Sequence, residues 1–496
     1  MVTTSERPEE QSKELTAESS GAEKWWALLG IGISTFIFGL EVHIVNLALP
    51  ILVEALDTNF ATIQWVVLSY VLMLTVFVLG VARLGDMYNK KWLYLGGLVL
   101  FTISSVLCGV APTVGFLIGF RALQGLGAVF MSALGAAIIT QVFPSEERGR
   151  ALGILNGIFA LGLAIGPGVG GLLIGLGGWR LIFLVNLPIG LIASLIVVLV
   201  VPSCVSSETK QGFDWIGALL MTATLTCFAL AMTLVQTEGF GLLTAPSMLA
   251  IAVIGLACFV VVESRLSEPM IDLGMFRDLQ LSLSLLLSWV VFFVVAAVNL
   301  LLPLFLELVK HYPLQEVGLL LTVLPMASAL ASPIAGTLSD RFGERIITLI
   351  GLLLMIGGCW AISTLDTDST ALGFIVRAVP IQMGIGTFFC ANSSAVMGAV
   401  PQERLGIASG LLSLSRTLGL TTGVPLVGAL FSTLTLASAK LAPDIDVTQA
   451  SVEALVVGVD ATFRLTAAIA IACTILGVVL WWVEHSQAQN QSEPVG

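Results

Sequence analysis

Residues Gly153 to Gly171 read GILNGIFALGLAIGPGVGG. The stretch carries no charge and contains Gly153, Gly162, Gly166, Pro167, Gly170 and Gly171. Glycine in a helix interior costs roughly 1 kcal/mol relative to alanine, so these residues do not build a soluble core. In a segment of membrane length they predict a spanning helix that packs closely on its neighbours and bends at its proline.

The rest of the chain says the same about its solvent. Over 496 residues the hydrophobic fraction is 57% and charged residues make up only 11%, against about 25% charged in soluble domains. The mean hydropathy is +1.01, so the chain lives in a lipid bilayer. The net charge of −11 argues against a nucleic-acid partner. The residues before Trp25 lack the charged-then-apolar order of a secretory signal and are expected to form a disordered, uncleaved cytoplasmic tail, 1–24. The seven cysteines form no Cys-x-x-Cys pair and no metal-ligand spacing, and read as packing residues; no metal is expected.

A spanning helix needs about 20 apolar residues. On that basis spans fall near 26–50, 62–82, 92–111, 113–142, 151–177, 181–201, 214–235, 246–262, 279–308, 315–338, 346–365, 371–400, 405–434 and 461–483. The fold class is therefore all-α and multi-pass, with 14 transmembrane helices. Counted by alternating side, 14 Lys and Arg lie on one face and 3, Arg180, Lys310 and Lys440, on the other. That bias predicts cytoplasmic termini in a plasma (inner) membrane.

An internal repeat organises the spans. Asp86 and Asp340 occupy turns 254 residues apart, while Arg121 with Arg377, and Arg148 with Arg404, are each 256 apart. The offset predicts two parallel six-helix halves, 25–201 and 279–484, separated by two inserted helices within 202–264 and an interfacial linker over 265–278, with a tail at 485–496.

Specific motifs then accumulate. The glycine-rich helix satisfies G-x8-G-x3-G-P-x2-G-G in full; R-x2-Q-G occurs as Arg121, Gln124 and Gly125; and WRLIFLVNLPIG runs from Trp179 to Gly190. The turn G-x-L-x-D-R-x-G-x-R is intact as Gly336, Leu338, Asp340, Arg341, Gly343 and Arg345. Its first copy keeps Asp86, Lys90 and Lys91 but has Ala82, Met87 and Asn89 at the other positions. On these residues the chain resembles the major facilitator superfamily, and within it the fourteen-helix drug:proton antiporters, along nearly its whole length. The resemblance implies that Asp86, Lys90, Lys91, Asp340, Arg341 and Arg345 form cytoplasmic gating turns, with a weaker latch in the degraded first half.

The first helix departs from the family pattern D-x-T-x-V-N-x-A-L-P: it reads EVHIVNLALP, with Glu41 for Asp and His43 for Thr, while Asn46, Ala48 and Pro50 match. An ionised acid at mid-helix costs about 2.5–3.5 kcal/mol on insertion scales. By analogy with the family Glu41 is assigned to proton coupling with Arg121, and His43 and Asn46 to the cavity wall. The alternative, a permanent structural ion pair of Glu41 with Arg121, stays open. Asn299, Gln382 and Asn392 read as polar cavity groups among Phe292, Phe293, Phe388 and Phe389. Glu307 reads as a cavity acid or an interfacial one, and Arg377 and Arg416 as clamps between the halves.

The resemblance implies proton-coupled antiport that exports amphiphilic small molecules by alternating access, with the proton motive force as the energy source and no cofactor. Two alternatives remain: a dedicated exporter of an endogenous metabolite such as a lipid or glycoside precursor, and a non-transporting membrane sensor or scaffold. No catalytic constellation and no G-x4-G-K-[ST] motif occurs, so neither an enzyme nor a Walker-type pump is expected.

Overall fold

The computed structural model describes residues 23–202, 214–238, 244–266, 269–440, 447 and 450–492. The segment read as an N-terminal tail lies, apart from Glu23 and Lys24, outside the described residues. Fourteen helices are long and apolar enough to cross a membrane. They are α1 (Glu23–Ala55), α2 (Phe60–Met87), α3 (Lys90–Gly109), α4 (Val114–Val142), α5 (Arg148–Gly177), α6 (Asn186–Val200, which spans together with the one-turn helix Leu181–Leu184 before it), α7 (Trp215–Glu238) and α8 (Thr244–Glu263). After a one-turn linker helix, Leu273–Arg277, come α9 (Leu279–Leu304), α10 (Leu314–Phe342), α11 (Glu344–Ile362), α12 (Ala371–Gly398), α13 (Leu405–Ala439) and α14 (Val452–Ser492). Helix α14 starts before the expected 461 and runs over most of the segment read as a tail.

Several ends are set by local chemistry. Asn59, Asp278 and Thr370 each accept a backbone N–H of the first turn of α2, α9 and α12, satisfying donors that a helix leaves open. Outward faces are apolar, as at Leu195 (59% exposed) and Leu199 (72% exposed), which suits contact with lipid tails.

Helices α1–α6 form one bundle and α9–α14 a second, and the two meet through α5 against α10 and α2 against α13. Glycines permit the approach. A Cβ on Gly162 would stand 2.5 Å from the Phe36 carbonyl oxygen of α1, and one on Gly153 would stand 2.6 Å from the Ser332 oxygen of α10. The glycine-rich helix therefore packs backbone-close on two sides at once, toward its own half and toward the other. Of the inserted pair, α7 lies over the seam between α2 and α13, and α8 packs on α7.

Candidate functional site

Between the halves lies a cavity of about 550 Å³. Its lining runs from Leu152 and Ser409, near the first turns of α5 and α13, to Pro303 and Gly318, close to the ends of α9 and α10. At the opposite end, the face carrying the α2–α3 and α10–α11 turns, the halves are latched together.

The two latches are reciprocal. Asp86, at the end of α2, accepts the backbone N–H groups of Gly406 (2.6 Å) and Ile407 (2.7 Å) in the first turn of α13. Asp340, at the end of α10, accepts those of Gly149 and Arg150, both at 2.8 Å, in the first turn of α5. Each carboxylate caps a helix of the other half, where the N-terminal dipole favours negative charge. The first latch is made in spite of its degraded motif. Asp86 is buried and also pairs with Lys90 at 3.2 Å, and Ala82, in place of glycine, packs against Gly406 and Gly410 of α13.

The other gating residues separate. Lys90 belongs to the Asp86 latch, whereas Lys91 donates to the Val198 carbonyl at the end of α6 (2.8 Å). Arg345 donates to Gln280 at 3.0 Å within its own half, and Arg341 is exposed in the last turn of α10. Cys390 of α12 lies in the same seam and donates to the Gly149 carbonyl at 3.3 Å.

One wall of the cavity holds a polar network from five helices. Glu41 of α1, fully buried, accepts from Arg121 Nη1 of α4 at 2.5 Å and from Asn186 Nδ2 of α6 at 2.9 Å. Arg121 also donates to Gln124 Oε1 (2.5 Å) and, through Nε, to the Val66 carbonyl (3.0 Å), and its guanidinium lies 4.3 Å from the Tyr70 ring. Gln124 Nε2 donates to Ser105 Oγ of α3 at 2.7 Å. Glu41, Arg121 and Tyr70 line the cavity. The acid faces the enclosed space rather than lipid and carries a charge-matched donor, so its burial is compensated. Asn186, Ser105 and Tyr70 escaped the sequence reading; the signal for Asn186 was a polar side chain inside the quoted WRLIFLVNLPIG.

The opposite wall contains Asn299 and Gln382 with Phe292 and Phe389, which stack at 4.7 Å. Several expected members lie elsewhere. Asn392 is buried and donates to the Ser284 carbonyl of α9 at 3.2 Å, fastening two helices of one half. Glu307 is exposed in the π-helical turn Phe305–Val309 that ends α9, off the cavity. Phe293 and Phe388 belong to the second bundle's core. Arg377 bonds Thr364 and the Gly373 carbonyl and so ties α12 to the end of α11. Neither it nor Arg416 clamps the halves; Arg416 lines the cavity. The side chains of His43 and Asn46 lie outside the described ones. Of the glycine motif, Gly162, Gly166 and Gly170 are buried, Gly171 is exposed, and Pro167 lines the cavity.

Comparisons with known proteins agree with this architecture. The family model described as Major Facilitator Superfamily matches residues 31–306 and 284–495. The chain is 36% identical over 409 residues to the multidrug resistance protein Stp of Mycobacterium tuberculosis, covering 82% of this chain and 75% of that one. It is 31% identical to the riboflavin transporter RibZ of Clostridioides difficile, covering 83% and 89%. A crystal structure of a human organic anion transporter superposes with a TM-score of 0.66 at 12% identity, covering 93% of this chain and 100% of that chain, a likeness of fold.

Proposed function

Because this chain belongs to the Major Facilitator Superfamily, we propose that it exports amphiphilic small molecules across the plasma membrane in exchange for protons, with the latched face and both chain ends in the cytoplasm. The observation that carries this reading is Glu41, a buried acid on the wall of a cavity closed at one face, held by Arg121 and Asn186. The relative named as a multidrug resistance protein supports the cargo class.

The cycle follows from the contacts. With both latches made, the cavity reaches toward the outer ends of α9 and α10, and a proton arriving from outside neutralises Glu41. Arg121 then loses its only carboxylate among the described residues and keeps Val66 and Gln124 as acceptors, so the wall repolarises and bound cargo is released outward. Parting of Asp86 from α13 and of Asp340 from α5 lets the halves rock and opens the cavity inward. There Glu41 gives up its proton and recovers Arg121. The glycine-close seam of α5 with α1 and α10 keeps the cavity tight during the swing. One proton moving down 100 mV supplies about 2.3 kcal/mol.

Reconstitution in proteoliposomes tests the assignment. Glu41→Gln is expected to abolish substrate-driven proton flux, and unchanged coupling in that variant would reject it. A dedicated exporter of one endogenous metabolite is the second reading, favoured by the relative named as a riboflavin transporter. A deletion strain separates the two: heightened sensitivity to several drugs supports the first, and an accumulated cell product with unaltered drug sensitivity supports the second.

A further inference from the structure

The charges on the cavity wall do not cancel. Among the described lining residues only Glu41, Arg121 and Arg416 are charged, and the first two neutralise one another across 2.5 Å. Arg416 has no carboxylate within ion-pair distance among the described residues. Its Nη2 donates to Ser393 Oγ at 2.7 Å, and that hydroxyl spends its own hydrogen on the Phe389 carbonyl. The guanidinium lies 5.1 Å from the Phe389 ring and 5.8 Å from Phe292. Its Nε is buried with no acceptor. A guanidinium carries five donors in a planar fork and does not deprotonate in proteins. Here it is held by aromatic faces and one neutral hydroxyl, and its charge is left over.

We propose that Arg416 is the anion-binding residue of this cavity, and that the cargo carries a carboxylate, sulfonate or phosphate at one end of an apolar body. The aromatic pair Phe292 and Phe389 fixes the guanidinium in place, and the apolar lining of α9 and α10, including Val295, Leu321 and Leu324, takes the body of the cargo. A bidentate pair with an oxyanion satisfies donors that Ser393 cannot. A cationic amphiphile meets an uncompensated positive wall. This assignment rests on the export reading for the cavity's purpose and narrows it to a substrate class.

The test uses binding by the full-length protein in lipid nanodiscs. Equilibrium dialysis compares anilinonaphthalene sulfonate with N-phenylnaphthylamine, the same ring system without the sulfonate, each corrected by empty nanodiscs. The wild type is expected to hold the sulfonate about tenfold tighter or more, about 1.4 kcal/mol. Arg416→Gln should bring the ratio of the two affinities to within about twofold of one, and Arg416→Lys, which keeps the charge but not the fork, should retain part of it. A wild type without preference, or a glutamine variant that keeps the preference while retaining the wild-type unfolding transition, overturns the proposal. The readout needs neither flux nor a proton gradient, so absent proton exchange would strike the export reading and leave this one standing. A wild type indifferent to the sulfonate would do the reverse.

Discussion

The two bundles share a repeat and treat their cavity arginines in opposite ways. In the first, Arg121 is enclosed by Glu41, Gln124 and the Val66 carbonyl, and its charge is met by a carboxylate at 2.5 Å. In the second, Arg416 is enclosed by two phenylalanines and a serine, and its charge is met by nothing charged among the described residues. The repeat counterpart of Arg121 is Arg377, which has left the cavity altogether to fasten the end of α11. The helix scaffold and the latches thus recur in both halves, while the walls differ: the arginine of one is paired with an acid and the arginine of the other, among the described residues, is not.

That contrast predicts unequal costs for removing the two guanidinium groups. Arg121→Ala leaves Glu41 buried without its counter-ion, a class of change that costs about 3–5 kcal/mol. Arg416→Ala strands no buried acid and gives up one hydrogen bond and two ring contacts at a cavity-facing site, so its cost should be smaller, about 1–3 kcal/mol. Thermal unfolding of the purified variants in detergent reads the difference directly. Equal losses would mean that Arg416 is a structural strut and would dissolve the contrast between the walls.

Much of this arrangement could be read from the chain, and the part that could not has a physical reason. Fourteen apolar segments of spanning length and the paired Asp86 and Asp340 turns are linear features, carried by runs and offsets, and the fourteen helices of the structure follow them. Which way a side chain faces inside a span is a different kind of fact. In lipid both the cavity face and the outer face are apolar, so the amphipathic signal that marks a buried side in soluble helices fades. Asn392 looked like a cavity amide and is a fastening between α12 and α9, while Arg416 looked like a clamp and lines the cavity. Asn186 joined the network around Glu41 only once α6 was brought beside α1 and α3. The degraded first gating turn still forms its contact because the Asp86 oxygens, which the motif keeps, are the atoms that bind.

The latches give a second, smaller way to weigh the halves. A hydrogen bond to a charged group is worth about 1.5–3 kcal/mol, so removing a latch charge should move the balance between closed and open latches roughly tenfold or more. Asp86 is buried and shares Lys90, whereas Asp340 is only partly buried. Asp86→Asn should therefore open the seam more than Asp340→Asn. Cys390 sits in that seam, and its rate of maleimide labelling, followed by peptide mass spectrometry, reports the opening. Faster labelling in Asp340→Asn than in Asp86→Asn would reverse the ranking of the two latches.

The linker between the halves supplies the weakest of these asymmetries. Asp272 pairs with Arg404, just before α13, at 2.7 Å and accepts the Gly274 backbone N–H at 2.8 Å. The backbone hydrogen bond first, and then Arg404, hold its carboxyl below the usual range for aspartate. Because the folded form binds its proton less readily than the unfolded form, the contribution is present in full above the ordinary aspartate value and is lost as pH falls through the lowered one. Both partners are well exposed, so the pair is worth only about 0.2–1 kcal/mol. Asp272→Asn should lower the unfolding temperature slightly at pH near 7, and its gap from the wild type should begin to shrink as the pH drops below about 4 and close only below the lowered value of the folded carboxyl. A gap that persists in acid would mean that the side chain acts through packing, and the second bundle would then owe nothing electrostatic to the linker that precedes it.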